Sequence, residues 1–409
     1  MSEVIERFLR YVKVDTQSCD GVEQFPSTEK QKDLARILVG ELAQIGAANV
    51  RMDENGYVYA TIPASDPDWT GRTIGFISHM DTSEAVSGKD VKPRIVENYD
   101  GAEIPLDAEG KYVLSPAEYP DLLDNVGKDL IVTDGSTLLG ADDKAGIAEI
   151  MAMASYLLSH PEVKHGRIQI AFTPDEEVGR GVDFFDLEGF DADFAYTVDG
   201  GALGEIEYEN FNAQNLKIEI KGKSIHPGSA KGVMKNAVLI ASELVQMIPP
   251  MENPACTDGY EGFYHVDSIE GDVEKVSMIC LLRDHDKDKI RHKAAVMDGI
   301  AAFLNTKYGP GTVTITKYRG YENMKEKILP HMHLIDNAML AMERAGVTAK
   351  ICAIRGGTDG ATLSYRGLPC PNLCTGGYNY HGRFEYIPVQ SMEKMQEVLL
   401  NIVDIYAGN

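Results

Sequence analysis

Four stretches of the chain bring residues that bind cations or move protons to the end of an apolar run. TIGFISHMD (73–81) stops at His79 and Asp81, RIQIAFTPDEE (167–177) at Glu176 and Glu177, and DFAYTVDGG (193–201) at Asp199. LLGADDKAGIAEIM (138–151) opens a helical pattern behind Asp142 and Asp143. Each residue also has an ordinary reading. Asp142 could cap a helix N-terminus, the two glutamates could be a solvated loop, Asp199 before two glycines could belong to a turn, and His79 could be a hydrogen-bonded strand end.

The four readings become costly if the stretches converge. In open α/β sheets, polar groups gather at the carboxyl ends of parallel strands. Asp142, Glu176, Glu177 and Asp199 would then crowd one edge, where each like-charge pair at ~4 Å costs roughly 4 kcal/mol at an effective dielectric near 20. Either the acids lie apart or cations sit among them. Imidazole and carboxylate without thiolate suit zinc, cobalt or manganese in an open catalytic site. Two divalent ions would balance three ligating carboxylates and one hydroxide, leaving a neutral centre that deprotonates water near neutral pH and polarises a carbonyl. One of two adjacent glutamates can ligate while the other serves as general base and then acid. Asp81 suits a place behind His79, because a ligating imidazole usually donates its second N–H to a carboxylate.

The elements that must position these residues alternate in type. Helical patterns at about 3–14, 29–45 and 143–158 flank short apolar strands at TIGFIS, RIQIAFT and DFAYTVD, which predicts an α/β layer fold with a mostly parallel sheet flanked by helices. From about Tyr208 the pattern becomes strand, helix, strand, helix, strand, and after about Asn323 the α/β style resumes, with a last helix over 390–406. The expectation is a discontinuous catalytic domain, 1–207 and 323–409, with an inserted α+β domain over 208–322. The Pro-, Gly-, Asp- and Asn-rich stretch between Thr82 and Thr133 reads as irregular or minor β structure whose purpose the sequence does not disclose.

Composition narrows the partners. With 39 Lys plus Arg against 63 Asp plus Glu, the formal charge of −24 repels phosphate backbones and anionic lipid surfaces, so neither nucleic acid nor membrane is expected. The first residues alternate charged and apolar in helical period, unlike a signal peptide, and no run approaches the ~20 apolar residues of a membrane span. A cytoplasmic protein is the simplest expectation. The six scattered cysteines read as reduced thiols, and Cys370 and Cys374 lack the second doublet of a structural zinc site. No G-x-G-x-x-G or Walker-type loop follows any strand.

The ordered set FISHMDTS, LLGADDKAG, FTPDEEVGRG, YTVDGG, SIHPGSAKG, RGGTDGA and NLCTGGYNYHGRFEY resembles the motifs of the cocatalytic dizinc aminopeptidase/carboxypeptidase superfamily, from the first helix to the last. The resemblance implies two zinc ions, with cobalt or manganese as substitutes. One would be held by His79, Asp142 and Asp199 and the other by Asp142, Glu177 and His381, with Asp142 bridging. It makes Glu176 the general base and Asp81 the residue behind His79, and it makes the insertion a ferredoxin-like lid or dimerisation domain. His226 would steady a tetrahedral oxyanion, and Arg283 and Arg355 would anchor a substrate carboxylate by the guanidinium fork. Without the resemblance, His226 before Pro227 is a polar loop residue. The activity implied is removal of the N-terminal residue from tripeptides. A dipeptidase, carboxypeptidase or N-acyl amino acid hydrolase on the same metals is the alternative, a non-catalytic metal-binding protein is a third reading, and pairing of two chains stays open.

Overall fold

A computed structural model describes residues 1–408, which form two compact units. The first comprises Met1–Tyr208, Glu326–Cys352 and Thr358–Asn409, and the second comprises Glu209–Lys325 with Ala353–Gly357. Relative to the 208–322 expected from the sequence, the second unit also takes in 323–325 and the short segment Ala353–Gly357.

The first unit is built on an eight-stranded sheet. Its centre is parallel: Ile168–Thr173, Ile74–His79, Phe194–Gly200 and Asn372–Cys374 lie side by side in that order. Antiparallel strands extend it, with Val58–Ile62 and Ala48–Met52 on one flank and Glu205–Asn210 beside Asn372–Cys374 on the other. Every residue of Ile74–His79 and Ile168–Thr173 is buried, as befits central strands covered on both faces. Reading from Ile74 pairs His79 with Thr173, so the two strands run out together and their loops leave the same edge.

The helix assigned over Ala141–Ser159 has an almost wholly buried surface. Gly146 allows its close approach, because a Cβ there would collide with the carbonyl oxygen of Val198. That contact brings the start of the helix against the strand ending in Asp199. The helix Glu3–Tyr11 is shorter than the predicted 3–14. It ends early because the chain turns to bridge Gln17 to Thr82, with Ser18 N–H on the Thr82 carbonyl.

The 82–133 excursion is ordered. Arg94–Val96, Leu130–Val132 and Tyr386–Pro388 form a three-stranded antiparallel sheet with Leu130–Val132 in the middle. Tyr99, Leu106, Leu114, Leu122 and Tyr386 belong to the small core of this segment. No helix of the described residues is long and apolar enough to cross a membrane, and all six cysteines are free thiols.

The second unit runs strand Asn212–Lys221, helix Ala237–Met247, strands Phe263–Gly271 and Lys275–Asp284, helix Lys287–Tyr308 and strand Val313–Tyr318. The first strand pairs antiparallel with both the third and the fourth, and the second pairs with the third, the ferredoxin-like βαββαβ arrangement. Alternate residues Leu216, Ile218 and Ile220 meet Val276, Met278, Cys280 and Leu282 beneath Leu244 and Leu304 of the helices. The Phe263–Gly271 strand escaped the sequence pattern because Phe263, Tyr264, Val266 and Ile269 do not alternate strictly with its polar residues, and a bulge between Val266 and Ser268 shifts its register.

Candidate active site

His79 is the last residue of its strand and is 2% exposed. Its Nε2 lies 2.8 Å from Oδ1 of Asp142 and 3.5 Å from Oδ1 of Asp199. Its Nδ1 faces the carbonyl oxygen of Asp81 at 3.0 Å and the Asp81 carboxylate at 3.3 Å. The carbonyl is thus the nearer partner. The carboxylate of Asp81 does something further, accepting the backbone N–H of Glu176 at 3.0 Å and of Glu177 at 3.1 Å. It therefore ties the histidine strand to the turn that presents both glutamates.

Asp142 is no helix cap. Asp142 and Asp143 have non-helical backbone angles and a cis peptide between them, so the regular helix begins beyond them. Oδ1 of Asp142 faces His79, and Oδ2 lies 3.0 Å from Nε2 of His381, 239 residues further along. The same His381 nitrogen lies 2.9 Å from Oε2 of Glu177. Glu176 and Glu177 occupy a single 3-10 turn entered through Asp175 at φ +57°, whose carboxylate accepts from Ser27 N, Ser27 Oγ and Gln31 Nε2. The five side chains His79, Asp142, Glu177, Asp199 and His381 thus meet at one edge of the sheet, with Glu176 beside them.

The electrostatics record how much negative charge is concentrated there. Burial and then Asp199 push Glu176 well above the usual carboxylate range, and burial followed by Asp142 pushes Glu177 up to about 7. Burial opposes a charge on His79, yet Asp199, Asp142 and Asp81 together raise it well above an ordinary imidazole. Hydrogen bonds to Asp142 and Glu177 raise His381 to about 11. Asp142, though half-buried, is held well below the usual range by His381 and His79. The imidazoles act as counter-ions, which is the signature of a cluster that wants cations. Oε1 of Glu177 is buried with no hydrogen-bond partner. Two sets of ligand atoms, from His79, Glu176 and Asp199 and from His79, Asp142 and Glu177, each lie within 4.8 Å of one another. An imidazole-carboxylate set with an unpaired buried oxygen fits one or two divalent ions.

The three remaining predicted residues belong to the second unit. His226 is exposed, and its Nδ1 accepts from Gly228 N at 3.1 Å. Arg283 is half-buried over the Tyr321 ring and donates to Asn215 Oδ1 and the Leu282 carbonyl. Arg355 donates Nη1 to the carbonyls of Gly259 and Glu261 and Nη2 to Thr257, so its fork is occupied by the 257–261 loop. A substrate carboxylate there would have to displace that loop.

Three acids of the site lay outside the sequence reading or were left without a role. Asp143 is fully buried and accepts from Ser78 Oγ and from His79 N–H at 3.1 Å, steadying the histidine from behind. Asp359, raised to about 7 by burial, accepts from Thr173 Oγ1 at the end of the glutamate strand. Glu385, 1% exposed, accepts three backbone N–H groups around Asp142. The only signal for the last was a lone acid, Glu385, between the aromatic Phe384 and Tyr386.

A mainly parallel sheet whose carboxyl edge gathers two histidines and four acids is the framework of a metal-dependent peptide hydrolase, and the chain belongs to peptidase family M20/M25/M40, whose model matches residues 135–404. It is 55% identical over 408 residues to Peptidase T of Alkaliphilus oremlandii, covering 100% of both chains. It is likewise 55% identical over 407 residues to Peptidase T of Halothermothrix orenii, again covering 100% of both. Among solved structures, a tripeptidase from Staphylococcus aureus superposes with a TM-score of 0.79 at 22% identity, covering 100% of this chain and 98% of that one. Aminopeptidase PepT from Bacillus cereus superposes with a TM-score of 0.76 at 24% identity, with the same coverage.

Proposed function

We propose that the chain is a tripeptide aminopeptidase that hydrolyses the first peptide bond of its substrate, with two zinc ions as its resident metals and cobalt or manganese as substitutes. The observation carrying the reading is Glu176: a half-buried acid beside five potential ligands, on the same turn as Glu177. A storage site has no use for it. The 55% identity to Peptidase T over the full chain supports the same activity.

His79, Asp142 and Asp199 would hold one ion and Asp142, Glu177 and His381 the other. When bound, the pair supplies Lewis acidity that lowers the pKa of water and polarises the scissile carbonyl. Glu176 takes the proton of the attacking water and passes it to the leaving nitrogen. Asp81 holds the proton on His79 Nδ1 by its carbonyl, leaving Nε2 as the ligating atom, and fixes Glu176 and Glu177 through their backbone N–H groups. Asp143 orients His79 from its backbone side. In the second unit, the lid of this reading, His226 steadies the oxyanion and Arg283 binds the substrate's terminal carboxylate. Arg355 joins it only if the 257–261 loop yields its fork. Selection of three residues would follow if only a peptide of that length offers its first peptide bond to the metals while its terminal carboxylate is held by an arginine. The free thiols accord with a cytoplasmic location.

The test is an assay of di-, tri- and tetrapeptides beside an N-acetylated tripeptide. Preference for the free tripeptide is expected. Equal rates across lengths would discard the length argument, and hydrolysis of the blocked peptide would favour an N-acyl amino acid hydrolase.

A further inference from the structure

His381 is the weakest-supported of the five clustered ligands. Its side chain is 49% exposed, its backbone sits at φ +60°, and its own packing does not determine where the imidazole lies. The partner it must meet, Asp142, is 239 residues away in sequence, on the turn that opens the Ala141–Ser159 helix. Something has to hold the two segments in register.

Glu385 spans that gap. It lies four residues beyond His381, just before the Tyr386–Pro388 strand, and is 1% exposed. Oε2 accepts the N–H groups of Leu139 at 2.7 Å and Gly140 at 2.8 Å, and Oε1 accepts the N–H of Asp142 itself at 3.1 Å. Three donors converging on two oxygens require a carboxylate, because the amide of glutamine offers one oxygen and turns its own N–H groups toward the remaining donors. Two further ties brace the same loop. Tyr380 Oη donates to the Gly200 carbonyl, one residue past Asp199, and Arg383 Nη1 donates to the Gly135 carbonyl at 2.9 Å. The Leu130–Val132 strand of the excursion pairs with Tyr386–Pro388 directly behind Glu385.

We propose that Glu385 is a positioning residue, locking the loop that bears His381 against the turn that bears Asp142 so that the two ligating atoms meet at a fixed separation. The excursion is then the buttress of that loop. The inference rests on the two-metal reading above and bears chiefly on the site completed by His381, because Asp142, whose N–H Glu385 also holds, serves both sites. The His79 and Asp199 ligands hang on their own strands and are independent of Glu385.

The decisive experiment is equilibrium titration of the metal-stripped full-length chain with cobalt, followed by visible absorption, and with zinc by competition against a chelator. Wild type should bind two ions; binding of fewer would overturn the two-metal reading itself, separately from Glu385. Glu385→Gln should bind the ion completed by His381 roughly 10–100-fold more weakly, the usual cost of removing a hydrogen-bond partner behind a ligand, and the other ion, which shares only Asp142 with that site, with a distinctly smaller loss. His381→Ala should weaken the same ion, and the double variant should be no weaker than His381→Ala alone. If Glu385→Gln binds both ions as wild type does, or weakens both equally, or adds its full effect to His381→Ala, the proposal fails. Should the glutamine variant not fold, Glu385→Asp, which keeps the charge but cannot reach all three donors, decides by the same readout. An intermediate loss larger for one ion than for the other supports the proposal, and unchanged binding or an equal loss at both overturns it.

Discussion

The carboxylate of Asp81 accepts the backbone N–H of Glu176 across 3.0 Å, linking the end of one central strand to the turn that follows its neighbour. The second oxygen does the same for Glu177. An asparagine can accept only one of these bonds and presents an N–H to the other. Asp81→Asn should therefore lower kcat/KM by about 10–100-fold while the protein stays folded, as steady-state kinetics beside near-ultraviolet circular dichroism would record. An unaltered kcat/KM would remove Asp81 from the positioning of Glu176.

Glu176→Gln keeps the shape of the side chain and removes its capacity to carry a proton. The expected result is a fall in kcat of about 10²–10⁴-fold with the metal content of the purified protein unchanged by elemental analysis. Loss of metal together with activity would instead make Glu176 a ligand, consistent with its place within 4.8 Å of His79 and Asp199 donors.

Stripping divalent ions should abolish hydrolysis, and zinc, cobalt or manganese should restore it. Ions that bind only the folded state add about 2.7 kcal/mol per site at a free concentration 100 times Kd. The thermal midpoint should accordingly rise on metal addition, and a midpoint indifferent to metal would argue that the acids are not ligands.

Gly146 is the contact through which the Ala141–Ser159 helix nears the Asp199 strand. A Cβ there meets the Val198 carbonyl, Oδ1 of Asp143 and Oγ of Ser78. Gly146→Ala should destabilise by about 1–3 kcal/mol, the usual cost of overpacking, and should lower activity by moving Asp142 relative to Asp199. Urea denaturation and kinetics test both halves, and a fully active, fully stable variant would show that this approach does not set the site.

Glu207 lies near Asp199 without belonging to the clustered ligands. Burial, then Glu205, raises it to about 7, above the ordinary glutamate range. A carboxyl whose folded pKa is raised lends stability below its unfolded value, and that stability is lost as pH climbs through the folded value. In chelator, therefore, the melting temperature should decline between about pH 4.5 and 7, and Glu207→Gln should flatten part of that decline. A gain on the order of 1–3 °C at pH 8 follows for a chain of this size. An unchanged pH profile would mean that Glu207 is solvated in solution.

Much of the framework was legible because strands buried on both faces leave continuous apolar runs, and IGFISH, IQIAFT and FAYTV are such runs. The polar residues ending them stood out against that background. Strands at the sheet margins, such as Ala48–Met52 and Lys350–Ile354, were not legible, since half-exposed edges carry no sustained pattern. The excursion was opaque for a related reason: its small core is assembled from single residues far apart, Tyr99, Leu114, Leu122 and Tyr386 among them. Arg355 shows the opposite limit. Its residue type suits a carboxylate anchor, but only the fold reveals that the 257–261 loop already occupies its fork.

Residue types and their order along the chain determined the chemistry, because four acids and a histidine at apolar run ends admit few arrangements without cations, and the resemblance supplied the second histidine. Which atoms face one another was decided by tertiary structure alone. Glu385 meets Leu139, Gly140 and Asp142 across more than 240 positions, and hydrogen bonds between segments so distant depend on how two loops close over a sheet edge, which no local periodicity encodes.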